Sequence, residues 1–289
     1  MTRRLSVGDT APRFTLPDAR GGEVALEPDA AAATVVVFTA NGCPYALAWH
    51  DRIQQVARDY TSRDVTVIQV VSNDETGHPE DSVASMRKRV ENGEIAGPYL
   101  RDGDQEAVAA YGATATPEVF VLDRKGVVRY HGAPDADHDD PAQNAQWVRD
   151  ALDDILAGTA VRRPQTSPAG CSTKWRVELL WWEGCPSGEP ALELLTSTLA
   201  ELHRGDVTVV RREVTTPEEA SRLNFPGLAD LPGRAAGPVP GGRRARPELP
   251  RVPRSGRPGL AAARPRGARR PAPRFPRPPL GPARLGRSS

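Results

Sequence analysis

Cysteine is scarce in this chain. Only Cys43, Cys171 and Cys185 occur among 289 residues. Their wide spacing excludes a disulfide-stapled secreted framework and points to reduced thiols, hence an expected cytoplasmic location. No run is long and apolar enough to span a membrane, and the start, "MTRRLSVGDTAPRF", has arginines with no apolar stretch behind them, so neither a membrane helix nor a secretory signal is expected. Lysine is missing altogether from residue 227 onward. That tail holds 15 Arg with only Asp230 and Glu248 as acids, a charge of +13, so residues 1–226 carry −12 of the total of +1. A near-neutral sum therefore hides an acidic body and a basic tail.

The body alternates short β-branched runs with amphipathic stretches. "TVVVFT", Thr34 to Thr39, reads as a buried strand closed by Asn-Gly. A helix should follow, with Pro44 at its first position and Trp49, Ile53, Val56 and Tyr60 on one apolar face. "DVTVIQVVS" is a second strand, and a helix is expected over Asp81 to Asn92. Asp104 is placed to cap a short helix that Gly112 stops. "EVFVLD" and "VVRYHG" then form a hairpin around "RKG", and the spacing from Pro141 to Ala157 predicts a closing helix. Such alternation implies an α/β layered fold.

The pattern restarts after the polar segment 161–175, which is expected to be a linker. "RVELLWW", "EPALELLTSTLAELHRG", "DVTVVRREV" and "TPEEASRLN" read as strand, helix, strand, helix. The expected organisation is thus a first domain over 1–160, the linker, a smaller second domain over 176–226, and a disordered tail over 227–289 rich in Arg, Pro, Gly and Ala. Both domains carry a Cys-Pro pair where a strand gives way to a helix, at Cys43 and at Cys185.

A thiolate is the nucleophilic form of cysteine, and the unpaired N–H groups of a helix N-terminus favour it. Position alone therefore marks Cys43 as reactive. The alternative is a small buried apolar residue, as free cysteines often are. His50 stands seven residues on, about 10 Å away along a helix, too far for direct proton transfer, and is read as a surface residue. The cluster His131, Asp135, Asp137, His138, Asp139 and Asp140 matches no metal-binding spacing and is read as a solvated acidic loop. No cofactor is expected.

Taken in order, "GDTAPRFTLPD", "FTANGCPYALAWHDR" and "YGATATPEVFVLD" resemble the thioredoxin-like redoxins of the alkyl hydroperoxide reductase and thiol-specific antioxidant family, over roughly residues 6 to 175. The resemblance implies a thioredoxin-like fold, a central mixed sheet flanked by helices. It makes Cys43 the active-site thiol, puts Pro117 after Thr116 as a cis-proline facing it, and adds Cys171 in a Gly-Cys-Ser-x-Lys-Trp segment. Relatives carry a first cysteine, or a Thr or Ser, three residues before the reactive one. Here that position is Ala40, so an intraloop disulfide is impossible and another thiol must resolve the reaction. Cys171 is the leading internal candidate, ahead of Cys185.

The implied substrates are a peroxide or a disulfide, with a thioredoxin-like protein or small thiol as reductant. The other reading is a redox-inactive module holding extended peptides at the cis-proline. Nucleic-acid binding would rest on the tail alone, and the missing lysine argues against it. Arg, Pro, Gly and Ala without Lys is what GC-rich DNA encodes out of frame. Back-translated "GLADLPGRAAGPVP", read one nucleotide later, permits Gly-Ser-Pro-Thr-Phe-Leu-Val, like a cis-proline strand missing from the second domain, which would then be truncated.

Overall fold

The computed structural model describes residues 4–223 and 225, all within one compact unit, Met1–Ala235. The tail over 227–289 lies outside the described residues. A small hairpin comes first, β1 (Thr15–Pro17) antiparallel to β2 (Glu23–Ala25). Then follow β3 (Ala33–Thr39), α1 (Pro44–Tyr60), β4 (Val65–Val71), α2 (Val83–Glu91), β5 (Tyr99–Arg101) and α3 (Glu106–Tyr111). The chain continues through β6 (Ala115–Thr116), β7 (Glu118–Asp123), β8 (Val128–Gly132) and α4 (Gln146–Leu156).

Five strands form the central sheet in the order β5-β4-β3-β7-β8. β3 pairs parallel with β4 and antiparallel with β7, so the sheet is mixed. All seven β3 residues are buried, which accounts for a β-branched run without polar alternation: both faces of a central strand are covered. Val35 and Val37 meet Trp49, Ile53 and Val56 of α1 and Val148 and Leu152 of α4. On the opposite face, Val36 and Phe38 pack with Val108 and Tyr111 of α3. Period-two alternation thus feeds two separate cores.

Local chemistry sets the boundaries. Pro44 stands in the first turn of α1 and Cys43 is its N-cap. Ser82 caps α2 by accepting from Ser85 N–H, so that helix begins two residues later than its sequence suggests. At the start of α3 Asp104 accepts the Glu106 N–H at 3.2 Å, as its sequence suggests, and buried Asp102 adds to it by accepting the N–H groups of Ala107 and Val108 at 3.2 and 2.9 Å. Gly112 closes α3 at φ 63°. α4 starts at Gln146, not Pro141, because Ala145 before it is left-handed and gives its N–H to Asp135.

After α4, β9 (Cys171–Ser172) precedes β10 (Trp175–Trp181), α5 (Gly188–Glu201), β11 (Val207–Glu213) and α6 (Pro217–Arg222). β10 and β11 form a parallel pair of their own. Leu180, Trp181, Leu192, Leu195 and Val209 are half-buried, and Leu194 and Leu202 are 68% and 64% exposed. Each large side chain fully buried is worth about 1.5–3 kcal/mol, and this lobe collects only part of that. Backbone amides of β10 and β11 should therefore exchange with solvent well before those of β3 and β4. Hydrogen exchange read by mass spectrometry checks it, and equal protection in both sheets would refute the weak-lobe reading.

Candidate functional site

The chain leaves the C-terminal end of β3 at Thr39, turns through Ala40, Asn41 and Gly42, and enters α1 at Cys43. The thiol is 5% exposed. Its Sγ lies 3.4 Å from Ala46 N–H, which donates to it from the first turn of α1, and 2.9 Å from the Thr116 carbonyl oxygen. Thr116–Pro117 is a cis peptide bond, and the Thr116 carbonyl places this segment beside the Cys43 thiol.

Cys171 arrives from the other side. β9 runs antiparallel to β6, with Thr116 paired to Cys171 and Ala115 to Ser172, and Cys171 packs against a small cluster of Ala40, Cys43 and Ala46. The two thiols are electrostatically unequal. Burial opposes ionisation of Cys43, but hydrogen bonds from the Thr116 side chain, the Ala46 N–H and Cys171 outweigh it and hold the thiol below its ordinary range. Burial first, then Cys43 as hydrogen-bond partner and negative neighbour, push Cys171 up to about 11. Cys43 is thus the more acidic thiol of the pair and Cys171 the less acidic one.

A pH profile should expose this difference. Iodoacetamide alkylation of Cys43, followed peptide by peptide, is expected to reach half its maximal rate below the ordinary thiol value of about 8.5. The reaction is present above that midpoint and lost as pH falls through it. Cys171 should lag until near 11. A Cys43 midpoint at or above about 8.5 would contradict the arrangement.

Sequence reasoning missed the clamp on the loop before Cys43. Asn41 gives its N–H to buried Asp81 at 2.5 Å and its side-chain amide to the Glu80 carbonyl at 2.7 Å. Its Oδ1 accepts from Arg89 at 2.9 Å and from the Tyr99 hydroxyl at 2.5 Å. Asn41 had looked like a plain turn residue, and nothing local signals partners 39 to 58 residues away.

Two expectations need correction. His50 is not a surface residue: it is half-buried, within 3.1 Å of the Glu94 carbonyl and 3.2 Å of Arg89, and burial and the Arg89 charge lower its pKa. The stretch 131–140 is not one solvated loop. His131 is 2% exposed and hydrogen-bonded through Nε2 to Glu118, and Asp135 is 1% exposed and accepts from Trp49, Arg52 and Ala145. Within it, Asp137, His138 and Asp139 cluster near the surface, and the His138 ring lies 4.3 Å from Tyr45 beside the site. Cys185, in the turn between β10 and α5, has no contact with the Cys43 cluster among the described residues.

The AhpC/TSA family matches residues 7–131. Over 133 residues the chain is 31% identical to the Mycobacterium tuberculosis protein named "Putative peroxiredoxin Rv2521", covering 44% of this chain and 77% of that one. The chain belongs to the AhpC/TSA family. Two solved structures share the architecture. The hypothetical protein SMc02350 from Sinorhizobium meliloti is 32% identical with a TM-score of 0.57, over 60% of this chain and 96% of its own. A conserved protein from Geobacillus kaustophilus is 34% identical with a TM-score of 0.56, over 61% and 93%. The fold is the thioredoxin-like one, and the family makes this a peroxiredoxin-like redoxin. No helix among the described residues is long and apolar enough to cross a membrane.

Proposed function

We propose that this chain is a thiol-dependent oxidoreductase in which Cys43 attacks a peroxide or a disulfide and Cys171 resolves the product. The observation that carries the reading is the packing of Cys43, the N-cap of α1 that accepts from Ala46 N–H, against Cys171, with Cys43 the more acidic of the two thiols. With a hydroperoxide, the Cys43 thiolate takes the terminal oxygen, the O–O bond breaks, and the departing alkoxide or hydroxide picks up a proton from solvent. Cys43 is then a sulfenic acid. Cys171 sulfur attacks the Cys43 sulfur, hydroxide leaves as water with the Cys171 proton, and a disulfide joins the two. A thioredoxin-like protein or a small thiol restores both.

Ala40 lies in the same cluster and offers no competing thiol. The alternative of a redox-inactive module for extended peptides loses its docking edge, because the strand holding the cis-proline is already paired with β9. The test is a non-reducing peptide map after one equivalent of hydrogen peroxide. A Cys43–Cys171 peptide is expected as the main product. Cys43 found only joined to an added small thiol would end internal resolution.

A further inference from the structure

We propose that β9 is a built-in occupant of the cis-proline edge, so that small oxidants reach Cys43 while thiol reductants enter at the Cys171 sulfur. This rests on the internal-disulfide reading above and adds to it which substrate size the site admits and which sulfur the reductant attacks.

The edge of β6 is filled by the chain itself. Besides the two β9 pairs, Thr173 N–H donates to the Thr114 carbonyl at 3.0 Å. Gly170 lies so close beneath that a Cβ there would collide with the Thr116 carbonyl oxygen and crowd Pro117 nitrogen. Both ends of the strap are tied. Upstream, Thr166 N–H donates to the His131 carbonyl at 3.0 Å, and its hydroxyl accepts from Ala133 N–H at 3.0 Å. Downstream, Lys174 N–H donates to Asn73 at 2.8 Å and its carbonyl accepts from Gln105 at 2.8 Å. The segment that composition marks as a linker is thus fixed across the site. A polypeptide disulfide, which would bind by adding its own strand to an edge, must first displace β9. A hydroperoxide needs no main-chain partner.

The same placement orders the reduction. A thiolate attacks a disulfide at the more accessible sulfur and expels the more acidic thiol faster. Cys43 is 5% exposed and lies under the strap, whereas Cys171 is half-buried and on the strap itself. Cys43 is also the more acidic of the two. The incoming thiolate therefore bonds to Cys171 sulfur, the S–S bond breaks, and Cys43 leaves as thiolate, ready for the next peroxide. A second thiol then attacks the mixed disulfide, releases the oxidised small disulfide, and Cys171 regains a proton.

Glutathione serves as the probe. The full chain is oxidised with one equivalent of hydrogen peroxide, mixed with limiting glutathione, quenched in acid within the first turnover, and mapped. Glutathione is expected on Cys171 with Cys43 free, at least about tenfold over the reverse. A crosslink that forms but yields glutathione on Cys43, or on both equally, overturns this proposal and leaves internal resolution standing. If no crosslink forms, both fall. The strap is tested separately in a Cys171→Ser background. Adding Gly170→Ala should raise capture of insulin by Cys43 at least about tenfold. Unchanged capture by a folded variant refutes the strap's role.

Discussion

Cys43→Ser is expected to remove peroxide consumption, lowering the rate by on the order of 10³ or more, the scale of losing a covalent nucleophile. The reason is local. In the native site the Ala46 N–H and the Thr116 side chain stabilise negative charge on a large polarisable sulfur. A serine oxygen can accept the same bonds, but its hydroxyl stays protonated at neutral pH and cannot take oxygen from a hydroperoxide. Fold should survive, because the substitution is nearly isosteric and serine is itself a favoured N-cap. Peroxide consumption with excess small thiol, paired with thermal unfolding, is the measurement. A variant that unfolds at the parental temperature yet keeps the parental rate would falsify the assignment of Cys43 as nucleophile.

The sequence made some of this legible and hid the rest for identifiable reasons. β3, α1, β4 and the β7–β8 hairpin were readable because their signals are local: a β-branched run, a helical stripe from Trp49 to Tyr60, a tight turn at "RKG". β5, β6 and β9 were not, since strands of two or three residues leave no periodicity and exist through partners far along the chain. β9 shows this most clearly. Ser-Pro-Ala-Gly-Cys-Ser reads as a linker on composition, yet its pairing with Thr116 bridges 55 residues of sequence. Cys43 itself was legible as a Cys-Pro at a strand-to-helix turn. The contact with Cys171 was not, because resemblance supplied the residue and only the fold supplied its place.

Glu118 shows what sequence could have flagged. A carboxylate directly after Pro117, opening the apolar run "EVFVLD", is a charge in a place where a central strand has no water. Its side chain is fully buried and accepts four donors: Arg4 at 2.6 Å, His131 Nε2 at 2.6 Å, and the N–H groups of Thr114 and Ala115 at 2.8 and 3.0 Å. Burial opposes its ionisation, and the bonds from His131, Arg4 and Thr114 overcome that and hold its carboxyl below the usual range. The sign follows. This stabilisation is present above the unfolded carboxyl value and is lost as pH falls through the depressed folded one.

Glu118→Gln removes the charge while keeping the shape, and its amide nitrogen turns one acceptor into a donor facing donors. Breaking one partner of a buried ion pair costs about 3–5 kcal/mol, which for a domain of this size lowers Tm by about 10 °C. The loss should also reach the site. Thr114 and Ala115 lead directly into Thr116, so freeing their N–H groups loosens the carbonyl and hydroxyl that face Cys43, and the alkylation midpoint of Cys43 should move upward. Pairing Glu118→Leu with His131→Phe separates the two contributions. Removing the carboxylate and the imidazole together leaves no unpaired ring nitrogen behind and so recovers part of the cost, but the two backbone N–H groups stay without an acceptor and continue to cost about 1–3 kcal/mol each. Melting of Glu118→Gln within about 2 °C of the parent, with an unchanged Cys43 midpoint, would show that the carboxylate holds neither the fold nor the loop.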